Sequence, residues 1–146
     1  MNKKSYGEEN NLNLRVLIAL SRTTLTVHRR SAEIFQKEGL TIAQFGVLEA
    51  LYHKGPLMIS QIIQSLLSTG GNITVVVKNL ERNQLVERCV NPEDQRSSLI
   101  SITEAGKKKV EQIFPEHLLD LEKSFEHLSS EDKKALLTIL NKAGLK

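Results

Sequence analysis

The sequence predicts a mainly α-helical fold carrying a small β-hairpin wing, arranged as a winged helix-turn-helix. Three observations predict it. From residue 68 a short helix reads with one apolar face and one face of small, polar and basic residues. Two short β-rich runs follow, Val86–Val90 and Leu99–Ile102, joined by a loop carrying Asp94 and Arg96. Thr103 then starts a new helix. Helix, hairpin, helix in that order is the shape that puts one helix in a DNA major groove and a loop beside it.

The elements follow in order. Residues 12–38 place Leu14, Leu17, Ile18, Leu25, Ile34 and Phe35 at helical spacing with arginines between them, one long amphipathic helix ending near Gly39. Thr41-x-x-Gln44 is a capping-box pattern that opens a second helix, which stops at Gly55-Pro56. A third covers 59–67, with Ile59, Ile62, Ile63, Leu66 and Leu67 as its buried set. Ser68-Thr69-Gly70-Gly71 turns the chain into the fourth.

At about 100° per residue, Ile73, Val76, Val77 and Leu80 of the fourth helix face the core. Gly71, Val75, Lys78 and Arg82 point the opposite way, flanked by Asn72, Thr74 and Asn79. The run Ile-Thr-Val-Val-Val alone would read as a strand, but Leu80 extends the apolar face at helical spacing. After the hairpin, Thr103 caps a helix over 104–127, where Pro115 predicts a kink or a split. Ser129 with Asp132 caps a last helix whose apolar set is Leu136, Leu137, Ile139 and Leu140.

At 146 residues the chain is one domain: 41–103 form the winged portion, and 12–38 with 104–143 form dimerisation helices. Apolar faces around Leu12–Ile18 and Leu128–Leu140 exceed what one small core covers, so pairing with a second copy is expected. Twofold symmetry then predicts a pseudo-palindromic operator. Apolar runs are too short to cross a bilayer and the N-terminus is not signal-like, so no membrane partner is expected. A single cysteine, Cys89, excludes an internal disulfide and agrees with a reducing cytoplasm. In a wing strand it reads as a buried, inert thiol.

Charge is less helpful. The chain carries a net +3, yet residues 41–103 hold five Lys/Arg against five Asp/Glu. A neutral reading module demands that Lys78, Arg82, Arg88 and Arg96 share one side while the acids face away. It also keeps an alternative open, a winged helix that contacts a protein and binds no specific DNA. The four histidines are scattered, and no spacing marks a metal site, a cofactor site or a catalytic constellation. An enzyme is not expected.

With helices and wing in place, the chain resembles the multiple antibiotic resistance regulator (MarR) family over residues 12–143. Leu85-Val86-Glu87-Arg88, Asn91-Pro92-Glu93-Asp94-Gln95-Arg96 and Ile102-Thr103-Glu104-Ala105-Gly106 are similar to that family's "G-L-V-x-R … D-P-x-D-x-R … L-T-x-x-G". Leu51-Tyr52-His53-Lys54-Gly55 and Gly71-Asn72-Ile73-Thr74-Val75-Val76-Val77 are similar to its quinone- and hydroquinone-sensing branch. Two departures stand out. Gln84 replaces the glycine through which the chain leaves the reading helix in a left-handed conformation, which Asn83 is expected to take over. Val75 replaces a frequent arginine and suits a thymine methyl better than a guanine edge.

For DNA, the helix-four start with Ser68, Thr69, Gly70 and Gly71 is expected to hold a phosphate. Asn72 suits adenine, Thr74 a base or phosphate, and Lys78 the backbone. The resemblance implies that Arg96 enters a minor groove and that Asp94 braces it or its loop. It also implies a repressor released by a small aromatic or phenolic ligand, or by an electrophile. That ligand would lodge among helices one, two and five, where His28, Phe45, His53 and Phe114 are the candidate lining.

Overall fold

The computed structural model describes residues 4–66 and 72–144. Within them run α1 (Glu8–Lys37), α2 (Ile42–Lys54), α3 (Ile59–Ser65), α4 (Ile73–Arg82), β1 (Val86–Val90), β2 (Ser98–Ile102), α5 (Glu104–Ser124) and α6 (Ser130–Ala143). The mainly helical class with one hairpin is as the sequence predicts. Helix α1 starts earlier than expected, with Glu8 and Glu9 in its first turn, where carboxylates complement the helix dipole. Thr41 and Gln44 form the predicted capping box: the Gln44 N–H donates to the Thr41 hydroxyl at 3.1 Å, and the Thr41 N–H donates to the Gln44 side chain at 2.9 Å.

Helix α3 is shorter than predicted. Ile62 is buried, but Ile63 is 51% exposed, because a two-turn helix turns only one strip inward. Leu67 lies outside the described residues. Helix α4 forms despite its β-branched run: Ile73, Val77 and Leu80 are buried, with Val76 packed against them. Tertiary burial overrides the intrinsic strand preference.

The exit from α4 corrects the expectation for Asn83, which stays at φ −83° while Gln84 takes φ +59°. The hydrogen bonds explain it. The Leu85 N–H donates to the Leu80 carbonyl at 3.0 Å and the Gln84 N–H to the Glu81 carbonyl at 2.9 Å, the paired bonds of a Schellman motif. In that motif the left-handed residue is the one after the cap, and Asn83 is the cap. Leu85, next in line, packs against the core that holds Leu80.

Strands β1 and β2 pair antiparallel with Val86 opposite Ile102, Arg88 opposite Ile100 and Val90 opposite Ser98. Leu57, between α2 and α3, adds a bridge to Ile100, its carbonyl accepting at 2.8 Å and its N–H donating at 3.0 Å. This pins the hairpin base to the helical core, where Val86 and Ile100 are buried. Among the described residues nothing covers the outer wing, where residues 87–90 are exposed. Cys89 is therefore exposed, not the buried thiol expected.

Helix α5 runs unbroken through Pro115, so the predicted split is absent. Pro115 and Glu111, whose carbonyl loses its bond there, are both solvent-exposed, which lets water replace the missing donor. Its tight entry explains Gly106: a Cβ there would collide with the Leu85 carbonyl and with Ile102. Charged pairs bind α5 to α1 and its C-cap residue: Arg30–Asp120 at 2.6 Å, Lys37–Glu116 at 2.5 Å and Lys109–Glu38 at 3.2 Å. Helix α6 carries the predicted Ser129/Asp132 capping box and buries no residue. Leu136, Leu137, Ile139 and Leu140 are exposed there, as are Leu12, Leu14, Leu17 and Ile18 on α1. No described helix is long and apolar enough to cross a membrane.

Candidate nucleic-acid interface

Helix α4 holds its outward residues by burying the opposite side. Ile73, Val77 and Leu80 anchor it, leaving Thr74, Val75, Lys78 and Arg82 exposed. Asn72 is the N-cap: its side-chain oxygen accepts the Thr74 N–H at 3.1 Å. The oxygen expected to meet an adenine amino group gives one of its two lone pairs to the helix. Ser68, Thr69, Gly70 and Gly71 lie outside the described residues.

The four cations divide. Arg88 is held by Glu81 through two bonds, 3.2 Å from Nε and 3.1 Å from the guanidinium terminus. That pair is partly exposed and joins α4 to β1; its charges cancel. Lys78, Arg82 and Arg96 form no ion pair among the described residues and are exposed. Arg88 thus neutralises the acid of α4 and is the one of the four that is paired among the described residues. The remaining three carry the positive charge of this surface.

The wing loop is built by its own short side chains. Asn91, 8% exposed, donates from its amide to the Ser97 hydroxyl at 2.9 Å, and its oxygen accepts the Glu93 N–H at 3.0 Å. Asp94 accepts the Arg96 N–H at 3.0 Å, and its carbonyl accepts from the Ser97 hydroxyl at 3.0 Å. Asp94 thus braces the backbone beneath Arg96 and makes no bond to its guanidinium. The arginine stands on a loop fixed by its own hydrogen bonds, with its charge unpaired among the described residues.

The hairpin's position depends on Thr103. Its hydroxyl accepts the Gly106 N–H at 3.1 Å as the cap of α5, and donates to the Gln84 carbonyl at 2.8 Å. Its N–H donates to the Leu85 carbonyl at 3.1 Å. The end of α4, the hairpin base and the start of α5 therefore meet at one side chain.

The candidate effector residues are only partly brought together. Phe45 is buried, its ring 4.1 Å from that of Phe35 and 6.5 Å from that of Phe114. His53 meets Phe114 edge-on at 5.7 Å. His28 is exposed on α1 and joins no aromatic contact among the described residues. Sequence reasoning missed His117, whose ring lies 5.1 Å from Phe35, 5.8 Å from Phe45 and 6.2 Å from Phe114. Burial lowers its pKa, against the opposing pull of Glu49 and Asp120, and its Nδ1 has no hydrogen-bond partner among the described residues. Its spacing from Val110 and Ile113 along the buried stripe of α5 was the available signal. A groove of about 400 Å³ between α1 and α5 lies apart from these rings, lined by charged residues including Arg30, Lys37, Glu116 and Asp120.

The MarR family model matches residues 38–97, from the end of α1 to the wing loop. The chain is 35% identical over 132 residues to the HTH-type transcriptional regulator MhqR of Bacillus subtilis, covering 90% of this chain and 91% of that one. Its fold matches a MarR family transcriptional regulator of Streptomyces coelicolor solved in complex with DNA, with a TM-score of 0.81, 20% identity, and 99% and 91% of the two chains covered. It also matches BpsR of Bordetella bronchiseptica, whose DNA binding is regulated by 6-hydroxynicotinic acid, with a TM-score of 0.69, 24% identity, and 86% and 98% covered. The relatives matched over most of this chain are transcriptional regulators. This chain belongs to the MarR family of transcriptional regulators.

Proposed function

We propose that the protein is a cytoplasmic homodimer that binds a pseudo-palindromic operator in double-stranded DNA and represses the genes beside it. The observation that carries this reading is the division of charge. Glu81 consumes Arg88, while Lys78, Arg82 and Arg96, on α4 and on a self-bonded wing, stay exposed without an ion pair among the described residues. In the Streptomyces relative the same fold is seen in complex with DNA. Thr74, Val75 and Lys78 serve the major groove, with Ser68, Thr69, Gly70, Gly71 and the amides beside Asn72 at a phosphate. Arg96 enters the adjoining minor groove.

Residues 41–103 form the reading portion, and α1 with α5 and α6 form the dimer region, whose exposed leucines and isoleucines need a second copy to cover them. A small aromatic ligand releases the repressor from the ring cluster of Phe45, Phe114, His53 and His117, which joins α2 to α5. The regulation of BpsR by 6-hydroxynicotinic acid supports that class of ligand.

A footprint on the DNA upstream of the protein's own gene tests the reading. Two protected half-sites about one helical turn apart are expected. Uniform cleavage across that DNA and across a random-sequence library would contradict it.

A further inference from the structure

The outward face of α4 contains one residue that folding does not need. Val75 is 50% exposed and lies about 200° round the helix from both Ile73 and Val77. It shares its face with Lys78 and Arg82, three and seven residues on, and both are exposed. A β-branched side chain at a solvent-facing helical position lowers helix propensity and gains little burial. An apolar group is thus set among cations, in the first turn, against the interest of the helix itself.

Its neighbours narrow the chemistry. Thr74 is exposed and brings a second methyl group. Asn72 has its side-chain oxygen on the Thr74 N–H at 3.1 Å, so the orientation of its amide is set by the cap and not by a base. Within α4, long donors begin only a turn later at Lys78. Valine neither donates nor accepts, so a guanine edge placed against it loses water and gains no partner. The thymine C5-methyl is the one apolar group that a base pair presents in the major groove.

We propose that Val75 is a specificity-determining residue and that it reads the C5-methyl of thymine, one in each half-site of the operator. The inference rests on the DNA-binding reading above and names the base class that this helix selects. Burying one methyl group is worth about fourfold in affinity per half-site, and about fifteenfold for both.

The test uses the tightest duplex recovered by selection from random-sequence DNA. Each thymine is replaced in turn, in both half-sites, by uracil, which pairs identically and lacks only the methyl. One position is expected to weaken wild-type binding about fifteenfold, while Val75→Ala binds the thymine and uracil duplexes alike. Undiminished binding to every uracil duplex would overturn the inference while leaving the selected site's advantage over a scrambled one intact. Retained discrimination in Val75→Ala would overturn it too, assigning the methyl to another side chain. Equal binding to selected and scrambled DNA would overturn the DNA-binding reading itself, and this inference with it.

Discussion

The Thr103 hydroxyl donates to the Gln84 carbonyl at 2.8 Å while accepting the Gly106 N–H at 3.1 Å. One side chain thus fixes the left-handed residue after α4 and starts α5, with the whole hairpin between them. Thr103→Ala is expected to cost about 1–2 kcal/mol, the upper range for a lost N-cap, because the Gln84 carbonyl also loses its donor. Thr103→Ser should recover most of it. Urea denaturation of the three proteins checks this; equal midpoints would show that the hydroxyl is dispensable.

Gln84 sits at φ +59°, a conformation that costs most residues with a Cβ. Gln84→Gly is therefore expected to stabilise the protein by about 0.5–1 kcal/mol, and Gln84→Val to destabilise it by more. Thermal unfolding at fixed protein concentration reads both. A loss of stability in Gln84→Gly would mean that the glutamine side chain makes a contribution absent from the backbone account.

Gly106→Ala should be costly, since its Cβ meets the Leu85 carbonyl and the Ile102 side chain. Backbone does not yield as a flexible side chain does, so a loss of about 1–3 kcal/mol is expected from urea unfolding. A variant as stable as wild type would show that α5 enters less tightly.

His117 predicts a pH dependence. Its pKa is lowered by burial from the usual 6.5, so the unfolded chain binds more protons than the folded one between the two values. Its contribution to stability is full above the unfolded value and declines as pH falls from there through the folded value. His117→Phe should flatten this part of the profile, read by denaturation at a series of pH values from about 7.5 down to 5. A wild-type profile that rises on acidification would contradict it.

Much of this architecture was legible in short-range chemistry. Thr41 with Gln44, Thr103, and Ser129 with Asp132 announce their helices because a hydroxyl satisfies a free N–H three residues on, a relation fixed within one turn. The strand limits at Val86 and Ile102 followed from β-rich runs bounded by turn residues. What stayed hidden depends on what packs where. Asn83 is the better left-handed residue by type, but Leu85 must reach the core, which moves the conformation to Gln84. Cys89 looked buried because strands usually are, and among the described residues nothing covers the outer wing. In the candidate site, Arg96 was marked by its loop, whereas the loss of Arg88 to Glu81 needed the geometry between α4 and β1.

The central claim is that the exposed cations of α4 and the wing meet DNA. Its most direct test is a titration of wild type, Arg96→Ala and Lys78→Ala against the upstream duplex and a scrambled one, at two salt concentrations. Wild type is expected to prefer the upstream duplex, with affinity falling steeply as salt rises. Arg96→Ala should lose roughly 1–3 kcal/mol on that duplex and stay dimeric; Lys78→Ala should weaken both duplexes and shallow the salt slope by about one unit. Equal, weak, salt-insensitive binding of all three proteins to both duplexes would contradict the account and turn this surface over to a protein partner.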